Sequence, residues 1–196
     1  MHGTLVHQAD QPETQPENAS AHDGPRRQGD GLVTATAGVA LGIFTADCVP
    51  ILMVDADRRI VAALHAGWRG TLAGIAGEGV RAMLALGARP ASIRAALGPA
   101  IGPCCFEVDA VLAEDFARQI PGASAYTRAG CPGKAYLDLR AIVRHQLARE
   151  GLEVSSIVNV GPCTRCANDT YFSRRGALAD GLHTSGLQMS FIGFVK

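Results

Sequence analysis

The sequence predicts an α+β layered sandwich in a single domain, and three observations carry that prediction. Short β-rich apolar runs such as "PILMVD" and "IVAALHA" follow one another with only turn residues between them, as hairpin strands do. Helical periods interrupt these runs at irregular intervals instead of following every strand, which speaks against a regular βαβ wind. At 196 residues with 47% hydrophobic content, the chain has material for one sizeable core and not for two.

In chain order, residues 8 to 30, "QADQPETQPENASAHDGPRRQGD", are polar and carry neither hydrophobic period, so they read as a long loop or tail. Residues 1 to 30 are therefore set apart as an N-terminal strand with a polar loop, and residues 31 to 196 as the domain proper. From Gly31, "LVT", "VALGIFTA", "PILMVD" and "IVAALHA" are nearly continuous apolar runs, predicting strands of one central sheet covered on both faces. After "GWRG", the residues Leu72, Ile75, Ala76, Val80, Met83 and Leu84 recur at helical spacing, with Thr71 placed to cap and Gly87 to stop the helix. "SIRAALGPAIGPCCFEV" reads as a strand running into a Gly/Pro-rich turn. "DAVLAEDFARQI" and "DLRAIVRHQLAREG" read as helices that each start at an Asp, the second putting Leu139, Ile142, Val143 and Leu147 on one face. "VSSIVNVG" and "LQMSFIGFVK" complete the strands.

Charge narrows the function classes. Eighteen basic residues balance eighteen acidic ones, and no Lys/Arg run exceeds two, so neither nucleic acid nor a membrane surface finds an electrostatic footprint. The expected partner is a small molecule. No segment approaches the roughly 20 apolar residues of a membrane span, and "MHGTLVHQAD" lacks the regions of a signal peptide, so a cytoplasmic location is expected. In that compartment the six cysteines read as thiols or metal ligands rather than as a disulfide framework.

Cys48 and His65 stand at the ends of two adjacent apolar runs, and hairpin pairing of those strands would bring them together. A thiolate and an imidazole suit zinc, with copper as competitor. A lone Cys after a strand is also often just a small buried hydrophobe. Gly67 and Gly70 flank Trp68 and Arg69, a composition that allows close backbone approach to a ligand and offers it an aromatic face and a guanidinium.

The motifs "TADCVPIL", "HAGWRG", "LGPAIGPCCFEV", "YLDL", the Cys163-Thr164 pair and "YFSRR" occur in an order that resembles the laccase-domain, or polyphenol oxidase, family. The resemblance implies a four-layer αββα sandwich with mixed sheets. It also implies a purine nucleoside phosphorylase with adenosine deaminase and methylthioadenosine phosphorylase activity, acting on adenosine, inosine, guanosine and methylthioadenosine. Its cofactor would be zinc bound by His, Cys and His. Cys48 and His65 match two ligands; His2 in "MHGTLV" is the better match for the third, and His7 in "LVHQ" is the competitor. Such a set leaves one coordination position open, as a catalytic zinc requires, and a metal-bound water is acidic enough to remove the adenine amino group. Asp47 is the candidate proton carrier, with turn capping as its plainer role. Phosphorolysis needs positioned cations, for which Arg69, Arg174 and Arg175 are the candidates. Arg175 is the weakest, since neighbours on a strand face opposite ways. Trp68, Tyr171 and Phe172 are placed to stack on a purine, with Cys163 and Thr164 beside the site by resemblance.

Other features are discounted. Cys163 and Cys166 form a C-x-x-C without a second one to complete a four-cysteine site, so Cys166 reads as incidental. Adjacent Cys104 and Cys105 are not expected to share one tetrahedral zinc and read as structural, and His145 and His183 read as ordinary solvated or satisfied histidines. Six His in all cannot supply the ligand set of a multicopper phenol oxidase. Two alternatives to the nucleoside enzyme stand: a thiol hydrolase in which His65 activates Cys48, and a cell-wall-precursor (peptidoglycan) editing factor or non-catalytic remnant. The sequence departs from the family pattern at Leu187, where a Thr-Gly-Arg would place the Arg, and at its start, where a segment with a Thr-Arg-x-Gly-Gly loop is expected before His2. A zinc ligand next to Met1 is entropically awkward, and the expectation is a reading frame that continues upstream of a GTG-encoded Met1.

Overall fold

The structure, a computed structural model, describes residues 5–9 and 29–196. Along the chain these form β1 (Val6–Gln8), β2 (Gly31–Thr34), β3 (Ala40–Thr45), β4 (Val49–Asp55), β5 (Ile60–Ala66), α1 (Trp68–Leu72), α2 (Ile75–Ala85), β6 (Ile93–Leu97), β7 (Glu107–Asp109), α3 (Ala110–Gln119), β8 (Thr127–Ala129), β9 (Lys134–Leu137), α4 (Leu139–Arg149), β10 (Ile157–Asn159), α5 (Arg174–Ala179) and β11 (Gln188–Gly193). The domain is α+β with mixed sheets, as expected. A six-stranded sheet runs β1-β2-β5-β4-β6-β10, with parallel pairs at its two edges and antiparallel pairs between.

The near-continuous apolarity of β4 and β5 follows from burial on both faces. Alternate residues Ile51, Met53, Ala62 and Leu64 join the large core under α2 and α4, while Leu52, Val54, Val61 and Ala63 join a second core under β3 and β11. α2 lies so close to β5 that a Cβ on Gly79 would come within 2.3 Å of the Leu64 side chain, so any larger residue there forces buried Leu64 and Met53 to shift. The described residues thus supply a helical layer, the six-stranded sheet and a β3–β11 ribbon, whose outer side chains Phe44, Met189 and Phe191 are exposed.

Three expectations are corrected. β3 does not enter the central sheet but pairs antiparallel with β11, because it buries Leu41 and Ile43 on one side only and turns Phe44 outward. The helix after "GWRG" is split: Gly74 at φ +86 breaks it into α1 and α2, and Thr71 caps neither, donating its hydroxyl to the Gly67 carbonyl at 2.9 Å from a fully buried position. "RRGALA" is helix α5, capped by Ser173, and not strand. α4 is as expected, with Asp138 accepting the Ala141 N–H at 3.0 Å and Leu139, Ile142, Val143 and Leu147 buried. No described helix is long and apolar enough to cross a membrane.

Asp55, fully buried at the end of β4, ties the hairpin to the turn before β6: its oxygens accept the Arg58 N–H at 3.1 Å, the Arg89 N–H at 3.0 Å and the Ser92 hydroxyl at 2.9 Å. Burial would raise its carboxyl, but the Arg89 and Arg58 N–H groups and the Ser92 hydroxyl outweigh it and hold it below the usual carboxylate range. A carboxylate depressed in the folded state contributes stability that is complete above its unfolded value of 3.8 and is lost as pH falls through the lower folded value. Asp55→Ala strands those donors and is expected to cost about 2–4 kcal/mol. Denaturant unfolding at pH 7 and at acid pH checks this, the difference between variant and wild type shrinking in acid.

Candidate active site

The hairpin register builds the first part of the site. β4 pairs with β5 from Val49↔Ala66 to Asp55↔Ile60, with Pro50 opposite His65. One step further the chains open, and a Cβ on Gly67 would stand 3.2 Å from the Cys48 sulfur and 3.7 Å from His65 Cε1. A side chain at 67 would crowd the place where these two donors meet. Asp30, just before β2, bonds His65 Nδ1 through Oδ1 at 3.2 Å, and its backbone carbonyl accepts the His65 N–H at 2.8 Å. Its Oδ2 is buried without a hydrogen-bond partner among the described residues. A carboxylate on one ring nitrogen orients an imidazole for a metal on the other. Burial, with Asp47 and then Asp30 adding negative charge, pushes the Cys48 thiol up to about 11.

Cys48 and His65 line a cleft of about 370 Å³ together with Phe44, Thr45 and Ala46 from the end of β3, Arg174 from α5, and Thr184, Ser185 and Leu187 from the segment before β11. Arg174 is steadied by a bond from its guanidinium to the His183 carbonyl. Leu187, where a family arginine was expected, makes that wall apolar.

Asp47, itself outside the cleft lining, organises the site from behind. It is 8% exposed and adopts φ +92, a backbone conformation rare outside glycine. Its Oδ1 accepts the hydroxyl of fully buried Thr164 at 2.7 Å, its Oδ2 accepts the Arg175 N–H at 2.6 Å, and its backbone carbonyl accepts the Ile101 N–H at 2.9 Å. The carboxylate thus holds the start of α5, and with it Arg174, against the hairpin end.

The other candidates fall outside the cleft lining. Arg69 is exposed and stacked on half-buried Trp68, its guanidinium carbon 4.2 Å from the ring centroid, and Trp68 packs on the core. Arg175 turns to the Glu107 carbonyl at 2.8 Å and lies over Phe106. Phe172 is 52% exposed and packs against Gly186. His2 lies outside the described residues, as does the polar stretch at 10–28. His7 sits in β1 with its ring against Gly29. Among the described residues, no third His, Cys, Asp or Glu stands close enough to Cys48 and His65 to complete a compact ligand set. His145 is satisfied structurally, bonding the Pro121 carbonyl at 2.8 Å and the Tyr126 hydroxyl at 3.4 Å. Sequence reasoning missed Asp30, hidden in a stretch read as plain loop, and the Thr184-Ser185 pair, whose segment was read only for the arginine that Leu187 replaces.

Four of the remaining cysteines, read separately along the sequence, come together in the structure. Cys104, Cys105, Cys163 and Cys166 bring their sulfurs within 4.8 Å of one another, a set that can hold a metal ion. The turn in which the Cys105 and Phe106 N–H groups donate to the Gly102 carbonyl aims both adjacent thiols at Cys166, each 3.5 Å away. Burial pushes the Cys104 and Cys105 thiols up, with the Cys166 thiol adding to it. At Cys163 burial is outweighed by the N–H groups of Gly102, Cys166 and Arg165 and the Cys104 thiol, which bring it down to about 7.

Comparison with known proteins places the chain in a family. The family described as multi-copper polyphenol oxidoreductase laccase matches residues 1–195. Purine nucleoside phosphorylase Rv2149c of Mycobacterium tuberculosis is 41% identical over 175 residues, covering 89% of this chain and 64% of its own length. Adenosine deaminase RL5, from an unknown prokaryotic organism, is 42% identical over 147 residues, 74% of this chain and 56% of that protein. The crystal structure of YlmD from Geobacillus stearothermophilus superposes with a TM-score of 0.86 at 36% identity, over all of this chain and 71% of that one. The chain therefore spans less than two thirds of the length of these two named enzymes.

Proposed function

Because the chain belongs to the multi-copper polyphenol oxidoreductase laccase family, whose similar members include proteins named purine nucleoside phosphorylase and adenosine deaminase, we propose that it is a zinc-dependent purine nucleoside enzyme. It would cleave adenosine, inosine, guanosine and methylthioadenosine with phosphate, and deaminate adenosine. The observation that carries this reading is the cleft in which Cys48, His65 and Arg174, distant in sequence, face one space. A soft thiol beside an imidazole that a carboxylate already orients suits zinc better than a hard cation. Cys48 and His65 Nε2 would hold the ion, with His2 as the proposed third ligand. When bound, zinc supplies an acidified water for deamination.

The chain's own residues supply the rest. The Arg174 guanidinium is the described cation on the cleft wall and would hold phosphate beside the sugar. Phe44, Ala46 and Leu187 offer apolar surface to the purine, and Thr184 and Ser185 offer hydroxyls to the sugar. Asp47, with both carboxylate oxygens engaged, acts as a positioning residue for α5. The thiol-hydrolase alternative needs a thiolate, and a Cys48 pushed up to about 11 by burial and two carboxylates is the opposite of an activated nucleophile.

Incubation with adenosine and phosphate, with and without a chelator, tests the reading: base, ribose 1-phosphate and inosine should appear, and chelation should abolish them. Turnover that survives complete metal removal overturns it. Arg174→Ala is expected to raise the phosphate requirement of phosphorolysis about 10- to 100-fold while deamination falls by less, since only the first reaction uses phosphate. Equal loss of both rates in a folded variant would remove Arg174 from the phosphate site.

A further inference from the structure

We infer that Cys104, Cys105, Cys163 and Cys166 form a second metal site, a structural zinc tetrathiolate that clamps the two loops behind the cleft. This inference is independent of the nucleoside reading. A tetrahedral zinc with Zn–S bonds of about 2.3 Å has sulfur–sulfur edges of about 3.8 Å. The four sulfurs lie within 4.8 Å of one another, and Cys166 is 3.5 Å from both Cys104 and Cys105, so small side-chain adjustments close them on one ion. Sulfurs this close cannot each take a different iron of a polynuclear cluster.

The backbone is arranged for thiolates as well. At Cys163 the Gly102 N–H from the facing loop donates to the sulfur at 3.2 Å. N–H groups aimed at sulfur offset the charge that four thiolates bring to one ion. Cys163 is buried and Cys105 half-buried, while Cys104 and Cys166 are exposed, which gives an ion an entry path. Binding converts the thiols to thiolates and releases their protons to solvent.

The clamp's position gives it a purpose. The loops it joins meet otherwise through the Ala100–Cys163 bridge and the Thr164 N–H to the Ala100 carbonyl at 3.1 Å. From one of them Ile101, and from the other Thr164, hold Asp47, which holds α5 and Arg174. Fixing the loops therefore fixes the cleft wall without contributing a group to it.

Cobalt(II) alone is the probe, added to fully reduced Cys48→Ala so that the cleft site is disabled while the four thiols stay intact. One equivalent should bind per chain, with the intense thiolate-to-metal absorption and the visible bands of a tetrahedral tetrathiolate, and one equivalent of zinc should bleach them. Cys166→Ser in the same background should lose these bands or weaken binding at least about 100-fold. Should that double variant fail to fold, a mercurial titration of zinc-loaded Cys48→Ala decides: of its five thiols exposed Cys131 should react without metal loss, and one zinc should leave only as the other four are modified. No cobalt uptake by Cys48→Ala, uptake without thiolate absorption, iron with labile sulfide, or loss of these thiols to disulfide in place of metal would each overturn the site.

Discussion

Cys48→Ala is expected to remove one zinc per chain and to lower phosphorolysis and deamination of nucleosides together by more than about 100-fold, since even residues that only support a metal ligand typically cost 10- to 100-fold. The hairpin sets the position of the Cys48 sulfur. Cys48 is reached by extending the β4–β5 register past Val49↔Ala66, and its sulfur faces the backbone at Gly67 beside the His65 ring. With the sulfur gone, His65 remains oriented by Asp30 but has lost its described partner donor. The fold should survive, because the strands on either side are buried in their own cores and a Cys-to-Ala change removes a single sulfur atom. Metal analysis beside circular dichroism checks this. Unchanged metal content in a folded variant would overturn the site, and loss of metal with full nucleoside turnover would separate the metal from the chemistry. Asp30→Ala should act in the same direction more mildly, by freeing the His65 ring.

How much of this was legible in the sequence depends on whether the information was local. The strands β4 and β5 and the helix α4 announce themselves by period, and the Cys48–His65 pairing follows from a hairpin that any reading of two adjacent apolar runs would draw. Partner choice at long range is different. β3 is as apolar as its neighbours in composition, yet joins β11 near the other end of the chain, because only one of its faces is buried. The four-thiol cluster was missed for the same reason: 104–105 and 163–166 are each poor zinc motifs, and the isolated Ala100–Cys163 bridge that unites them has no signature in either segment. Asp30 was hidden by its surroundings, a carboxylate in a polar stretch being unremarkable until β2 carries it to His65.

The roles of the arginines show where reading by motif stops. Arg174 and Arg175 are indistinguishable in "YFSRR", and expecting a strand there separates them only by facing. The helix separates them by capping instead. With Ser173 at the N-cap, the Arg175 N–H is one of the unpaired donors of the first turn and goes to Asp47, while its guanidinium turns back to Glu107 and that of Arg174 reaches the cleft. A buried carboxylate from the hairpin end has become the anchor of a helix more than a hundred residues away.

Asp47→Ala therefore carries the second large effect. The substitution leaves the fully buried Thr164 hydroxyl and the Arg175 N–H without their acceptor, at an expected cost of about 2–5 kcal/mol for the two groups. For a chain of this size roughly 2–4 °C per kcal/mol follows, hence a melting point lower by on the order of 5–15 °C. Activity should fall with it, because α5 is released and Arg174 is no longer held over the cleft. Asp47→Asn separates positioning from proton transfer. The amide keeps one oxygen to accept and the same volume, but turns N–H groups toward one of the two donors, so both melting point and turnover should lie between Asp47→Ala and wild type, with the pH profile of turnover unchanged in shape. Were Asp47 instead the group that moves the proton, Asp47→Asn would have the same intermediate melting point yet lose turnover by more than about 100-fold, out of proportion to its loss of stability, and flatten one limb of the pH profile. That result would transfer Asp47 from the scaffold of the cleft to its chemistry.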